Sequence, residues 1–300
     1  MSAITQIPEH YTTQFDTNWK HLVQQKTSKL REYVTVDSIQ GKEKSYNQLA
    51  EAAMQLITSR SGETRISDQA TAKRWIRPKA YDTAKLFDEF DEQLLGEVVL
   101  PTSPVVQSHA AAYARTCDSL IIDALGGTAY TGESGTTATA LPAGQKVAVN
   151  YVESGAAANS GLTIAKLRAA KFILDSNDVD EEEERIIVVS AKQLQDLLRE
   201  DRVTSADYNS IKALVDGTVN TFMGFKFRRT QLLPLVSATD VRSVYVYVKS
   251  GVILAERGLK THMDIRTDLS HSLQVRSVAS LGATRSEEKK VVEIACDESP

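Results

Sequence analysis

The stretch Pro101 to Gly127, PTSPVVQSHAAAYARTCDSLIIDALGG, constrains this chain more than any other. It reads as one long helix with a start and a stop. Ser103 is placed to cap the N-terminus. Pro104 suits the first helical position, where a missing N–H costs nothing. Gly126 and Gly127 supply the C-terminal stop, since glycine enters the left-handed region without a Cβ penalty. Between them Val106, Ala110, Tyr113, Ala114, Cys117, Leu120, Ile121 and Ala124 recur at steps of three and four, an apolar stripe on one face. Roughly 22 helical residues at ~1.5 Å each span about 33 Å. Three alanines at 110–112 would let another backbone approach closely. Such a helix is a spine, and the question is what hangs on either side of it.

The segments before the spine have too little apolar material for a core of their own. Residues 1–29 are polar with scattered aromatics. Phe15, Trp19, Leu22 and Val23 mark a weak amphipathic face, as expected of an arm that lies on something else or of a loosely docked terminal helix. In 30–95, Tyr33, Val34 and Val36 alternate with polar residues and predict a strand. Residues 45–59, with Leu49, Ala52, Ala53, Leu56 and Ile57 at helical spacing, predict a short helix. From Arg60 to Lys79 six cations stand against two anions, a balance of +4, and from Tyr81 to Glu97 one cation stands against six anions, a balance of −5. Opposite blocks on an extended segment are suited to pairing between subunits, where their signs set the register of the contact. Ordinary solvated faces are the alternative.

After the spine, 128–161 is rich in Gly, Ala, Ser and Thr and predicts a mobile loop or hinge with a short strand, KVAVNYV. GGTAYTGESGTT lacks the Gly-Lys-Ser/Thr of a phosphate loop. Residues 162–236 predict an α/β unit. LTIAKLRAAKFILDSND is a helix, RIIVVS a buried strand, AKQLQDLLRED and VTSADYNSIKALVDGTV are helices, and Phe225/Phe227 belong to a strand running to Leu233-Pro234. The tail is rich in strands. RSVYVYVKSGVILAERG predicts a hairpin about Ser250-Gly251, and two or three further strands would return over the spine. The overall expectation is an α+β fold.

Chemistry-bearing patterns are lacking. The histidines at 10, 21, 109, 262 and 271 show no ligand spacing, and none sits beside a nucleophile motif. Asp178 to Glu184 lacks the alternation and turn glycine of a calcium loop. Cys117 and Cys296 are the only cysteines, which excludes a disulfide framework and a metal knuckle. No catalytic, cofactor-binding or metal-binding residue is nominated. The net charge of −4 argues against a dedicated nucleic-acid binder. No apolar run approaches the ~18 residues of a membrane span. The N-terminus has no signal-peptide pattern, so an intracellular site of synthesis is expected.

Several passages carry a resemblance. ATAKRWIRPKAYDTAKLFDEFDEQ resembles the basic-then-acidic passage that precedes the spine in some tailed-bacteriophage major capsid proteins of the Hong Kong 97 fold. SPVVQSHAAAYARTCDSLIIDALGGTAYTG resembles their spine helix and its exit. LTIAKLRAAKFILDSNDV and RIIVVSAKQLQDLL resemble the first helix and strand of their axial domain, and GTVNTFMGFKFRRTQLLP their glycine–apolar–glycine strand leading to a proline. The resemblance implies an N-terminal arm (1–29), an extended loop (30–95) and a peripheral domain (96–154 and 250–300) that holds the spine helix, 103–125. It implies an axial domain at 155–249. It further implies a subunit of hexamers and pentamers in an icosahedral shell around double-stranded DNA, made in the host cytoplasm and found in the virion. A separate scaffolding protein, a portal and a decoration protein are the expected partners, with no membrane and no cofactor. Some members cross-link a lysine to an asparagine; no local motif assigns such a pair here. The candidate interface pairs are Arg74 and Arg77 against Asp88, Asp91 or Glu92 of an adjacent chain. Two other readings stay open: an encapsulin-like compartment with enzyme cargo, and a soluble α/β enzyme with Arg60 to Lys79 over its cleft.

Overall fold

In a computed structural model, helix α1 runs Thr102–Gly126 and packs chiefly on the strands Val252–Arg266 and Ser272–Arg285 of the C-terminal part of the chain. The structure describes residues 22–54, 56, 60, 66, 68–87, 102–199, 221–269 and 271–299. The helix predicted at 203–219 and the aromatics Phe15 and Trp19 lie outside them.

The described strands form three sheets, and the first two pack on α1. In the first, β1 (Thr35–Ser38), β13 (Val252–Arg266), β14 (Ser272–Arg285) and β4 (Lys79–Phe87) lie in that order, with β1 parallel to β13 and the other pairs antiparallel. The second has the order β7 (Lys146–Val147), β15 (Val291–Asp297), β12 (Val241–Val248), β8 (Arg185–Val189), β10 (Phe225–Arg229), β9 (Thr221–Phe222), with β11 (Leu235–Val236) beside β12. The third is antiparallel: β2 (Lys44–Leu49), β3 (Thr71–Ile76), β5 (Ala129–Thr131), β6 (Thr137–Thr139).

The spine bridges two cores. Val105 near its start packs with Phe87 and Val275 of the first sheet. Cys117, Ile121, Ile122 and Leu125 near its end join the main core with Ile186, Val188, Val246 and Tyr247 of the second. Helices α2 (Ile164–Ser176) and α3 (Ala191–Leu198) add Leu167, Leu174, Leu194 and Leu197 to that core. Every residue of β8 is buried, as its unbroken β-branched run requires. Both short helices are capped from the sequence: Thr163 accepts from the Lys166 N–H, and Ser190 with Gln193 forms a reciprocal capping box.

The buried face of α1 is Val105, His109, Ala111, Ala114, Cys117, Asp118, Ile121, Ile122 and Leu125. It shares Ala114, Cys117 and Ile121 with the expected stripe. Elsewhere it is displaced, because two sheets and the incoming arm each cover a part of the helix. The helix begins one residue before Ser103. Gly126 and Gly127 do not take positive φ. Gly126 makes room instead: a Cβ there would sit 2.8 Å from Cζ of Tyr245.

Other expectations change. Lys44–Leu49 is a strand, not the start of a helix, because Tyr46 and Gln48 alternate inward opposite β3. VYVYV and VILAE are both strands but not a hairpin. After the turn at Lys249–Gly251 they part into different sheets, since β12 has β8 and β15 as neighbours. Of KVAVNYV only Lys146–Val147 pairs. The Gly- and Thr-rich segment after the spine forms the β5–β6 hairpin rather than a free loop. The tail does return over the spine, through β13 and β14. The strand β15, expected with the spine, pairs with β12 among the strands of 155–249, so the sheets do not divide at residue 249.

Candidate functional site

The third sheet carries the charged segment singled out by the sequence. Its inner end is anchored by buried polar contacts. Arg74, 3 % exposed, donates from Nη2 to Glu288 Oε2 at 2.9 Å and from Nε to the Ser286 carbonyl at 3.2 Å. Gln48 donates to the same carbonyl. Arg74 is therefore engaged within its own chain. Arg77 is half-exposed: its Nε donates to Glu43 Oε1 at 3.1 Å and its Nη1 to the Gly135 carbonyl at 3.1 Å, while the guanidinium lies 5.6 Å from the centre of the Tyr130 ring. Asp88, Asp91 and Glu92 lie outside the described residues, so the pairing predicted for them stays a proposal.

Trp75 holds the β5–β6 hairpin against β3. Its Nε1 donates to the Gly132 carbonyl at 2.7 Å, and Gly135, at φ +65°, lies so close that a Cβ would meet Trp75 Cγ at 2.6 Å. Position 135 thus demands glycine twice, for conformation and for space. At the other edge Lys44 pairs with Asp37 at 2.5 Å and Tyr46 donates to it at 2.8 Å. The hydrogen bonds from Lys44 and Tyr46 hold the Asp37 carboxyl below its ordinary value. Beyond these anchors Leu49, Met54, Leu56 and Ile66 are 66–102 % exposed.

The arm forms the second candidate surface. Asp118, fully buried on α1, accepts from Gln25, from Ser28 Oγ at 2.5 Å and from the N–H groups of Lys29 at 3.0 Å and Leu30 at 3.2 Å. Arg31 and Tyr113 both donate to Glu256, Tyr113 at 2.8 Å. Burial pushes the Glu256 carboxyl up, but those two bonds outweigh it and hold it below the ordinary value. The arm is thus stitched to the spine and to β13.

Chemically the molecule shows braces. Lys166, fully buried, donates to the carbonyls of Val149, Ser160, Gly161 and Ala295 at 2.6–3.0 Å and ties the 148–161 segment to α2 and β15. Burial pushes the Cys117 thiol up to about 11 and that of Cys296 to about 12, which leaves neither a nucleophile near neutral pH. His109 Nδ1 lies 3.1 Å from Ser277 Oγ, itself 2.9 Å from Thr261 Oγ1, a polar chain between helix and sheet. Among the described residues no three His, Cys, Asp or Glu side chains converge to hold a metal ion, and no helix is long and apolar enough to cross a membrane. The sequence reading missed Asp118, Lys166 and Arg285. For Asp118 and Lys166 the available signal was a charged residue within an apolar helical pattern, whereas Arg285, followed by Ser-Glu-Glu-Lys-Lys, gave none.

The comparisons with known proteins agree with this organisation. The model of the phage capsid protein family matches residues 7–298. No curated protein matches the chain in sequence. The capsid of Ralstonia phage GP4 superposes with a TM-score of 0.74 at 12 % identity, covering 100 % of both chains. The capsid of cyanophage P-SCSP1u gives 0.71 at 17 % identity over 96 % of this chain and 94 % of that one. The head structure of Helicobacter pylori bacteriophage KHP40 gives 0.73 at 11 % identity over 99 % of each. An arm, a sheet carrying the basic segment, a spine helix between two sheets and a near full-length family match together identify the chain as a member of the phage capsid protein family, a structural major capsid protein with the Hong Kong 97 fold.

Proposed function

We propose that this capsid protein builds an icosahedral head from hexamers and pentamers around double-stranded DNA, with no catalytic step of its own. The observation that carries the reading is the third sheet with its loop. Leu49, Met54, Leu56 and Ile66 stand open to solvent at the end of a sheet braced firmly to the body. Exposed apolar side chains beside an anchored sheet gain by burial on a second copy. Arg77, whose only described carboxylate partner is half-exposed, is available to acids of the 88–92 segment of a neighbour. Residues 96–154 and 250–300 are assigned to the periphery of each capsomer and 155–249 to its axis, with β15 as the strand that joins them. A scaffolding protein, a portal and a decoration protein are the expected partners. The protein resides in the virion, and its synthesis is assigned to the host cytoplasm.

Light scattering on the purified chain, with electron micrographs of any heavy fraction, tests this. Hollow shells or capsomer-sized rings are expected. A monomer or dimer that never assembles, even beside a candidate scaffold, would overturn it. Shells loaded with enzyme instead of DNA would mark an encapsulin-like compartment.

A further inference from the structure

Between the third sheet and the body lies an open cleft of about 540 Å³, far more room than one water requires. Ala50, Ala70 and Ala72 line it from the sheet, and Ser250 with residues of 286–290 lines it from the body. Two polar atoms of its lining residues have no partner among the described residues: Nη1 of Arg74, a side chain 3 % exposed, and Oε1 of Glu288. Their other atoms form the ion pair at 2.9 Å. A buried donor and a buried acceptor left open in one ion pair cost free energy until something satisfies them. A peptide group, which brings a carbonyl and an N–H together, answers both. A simple anion or cation answers one and opposes the other. The alanines on the facing wall leave space for a main chain to come close.

Segment 153–159, ESGAAAN, has the matching form. It is exposed throughout, no side chain after Glu153 is larger than asparagine, and its main-chain groups make no hydrogen bond among the described residues. The loop is closed at its base, where the Ser160 N–H donates to the Val149 carbonyl at 3.2 Å. That base sits at the end of β15, since the Asp297 N–H donates to the Ser160 carbonyl at 2.9 Å. The cleft lies at the start of β15, beside Glu288–Lys290. The strand between them, Val291–Asp297, spans about 20 Å at ~3.3 Å per residue. Helix α2 crosses the same gap: Lys166 in its first turn donates to the Ser160 carbonyl, and Asn177, just past its end, donates to the Lys289 carbonyl. The two surfaces therefore sit apart within one subunit. Unlike surfaces at opposite ends of one body join copies head to tail, the kind of contact that closes into a ring. We infer that segment 153–159 of one subunit lies in the cleft of the next, its main chain meeting Arg74 and Glu288, and that this contact repeats around each capsomer. The inference rests on the capsid reading and names two surfaces that join neighbouring subunits.

The test assembles the full chain carrying Ala72→Cys and Ala157→Cys, both at exposed positions. The native Cys117 and Cys296 are buried and stay out of the exchange. After mild oxidation of the particles, a non-reducing gel is expected to show a ladder of linked subunits up to whole pentamers and hexamers, since the Cα atoms of the pair come within about 7 Å. Either single variant is expected to give no ladder. A second variant, Ala157→Trp, should keep the urea midpoint of the wild-type subunit and abolish particle formation, because the bulky ring cannot enter beside the alanines. Particles that form without a ladder overturn the proposal, as does a disulfide closed within one chain, and so do normal particles from Ala157→Trp. Those results leave the capsid reading standing. A wild-type chain that never forms particles counts against the capsid reading itself, and the contact falls with it.

Discussion

The guanidinium of Arg285, itself fully buried, donates to the Leu125 carbonyl at 3.0 Å. It also donates to the carbonyls of Ala124, Gly127 and Thr139. The last turn of α1 contains no basic residue, so its open carbonyls and negative dipole end are met by a side chain from β14, about 160 positions away. Burial pushes the Arg285 pKa down from its ordinary value, though an arginine stays charged at any working pH. Arg285→Met is expected to destabilise the subunit by roughly 3 kcal/mol, because several buried carbonyls lose their donors. Arg285→Lys should recover only part of that, since one ammonium cannot span the positions the planar fork reaches. Urea unfolding of the unassembled subunit measures both.

Gly126→Ala should cost about 1–3 kcal/mol in the same experiment, by overpacking against Tyr245. If the glycine served only as a flexible stop, alanine would be neutral or stabilising. Gly126→Ala combined with Tyr245→Phe, which removes the hydroxyl, should lose less than Gly126→Ala alone.

His109 predicts a pH dependence. Burial, then the nearby Lys85 charge, holds its pKa below the ordinary value near 6.5. The unfolded chain therefore binds the proton first, and stability is highest above about 6.5 and declines as the pH falls below it. The carboxylates held low, Asp37 and Glu256, act later, as the pH falls below about 4.5. A subunit with His109→Gln should lose the decline that sets in below about pH 6.5 and keep the later one. An unchanged curve in this variant would show that His109 is not its source.

The two arginines of the charged sheet are predicted to separate. Arg74→Glu sets a second carboxylate against Glu288 in a buried site and should destabilise the isolated subunit by about 3–5 kcal/mol. Arg77→Glu should leave the subunit folded and block assembly, because its half-exposed side chain is the one within reach of a neighbour. Normal shells from Arg77→Glu would remove it from the interface.

Asp118→Ala strips the acceptor from four donors of residues 25–30. Trypsin should then cut at Lys26, Lys29 and Arg31 far faster than in the wild type, with the core left protected. Equal cleavage would mean that Glu256 and the Lys29–Arg229 contact hold the arm without Asp118.

Local pattern alone determined the long helix, the buried run at β8 and the capped helices beginning at Ile164 and Ala191, whereas the capsid reading came from a resemblance to a known family. Those features depend on periodicity and end signals within a few residues. That Arg74 and Arg77 belong to one extended basic segment was also legible, but which of them faces outward was not, since the burial of Arg74 is set by Glu288 and Ser286, more than two hundred positions away. The parting of VYVYV and VILAE into different sheets, and the strand at Lys44–Leu49, were decided by partners that no local window contains. The same holds for the reason Gly126 is a glycine and for the carbonyl clusters that take up Lys166 and Arg285. A buried charge or a missing Cβ has its explanation in what stands opposite, and only the tertiary structure brings that partner within reach.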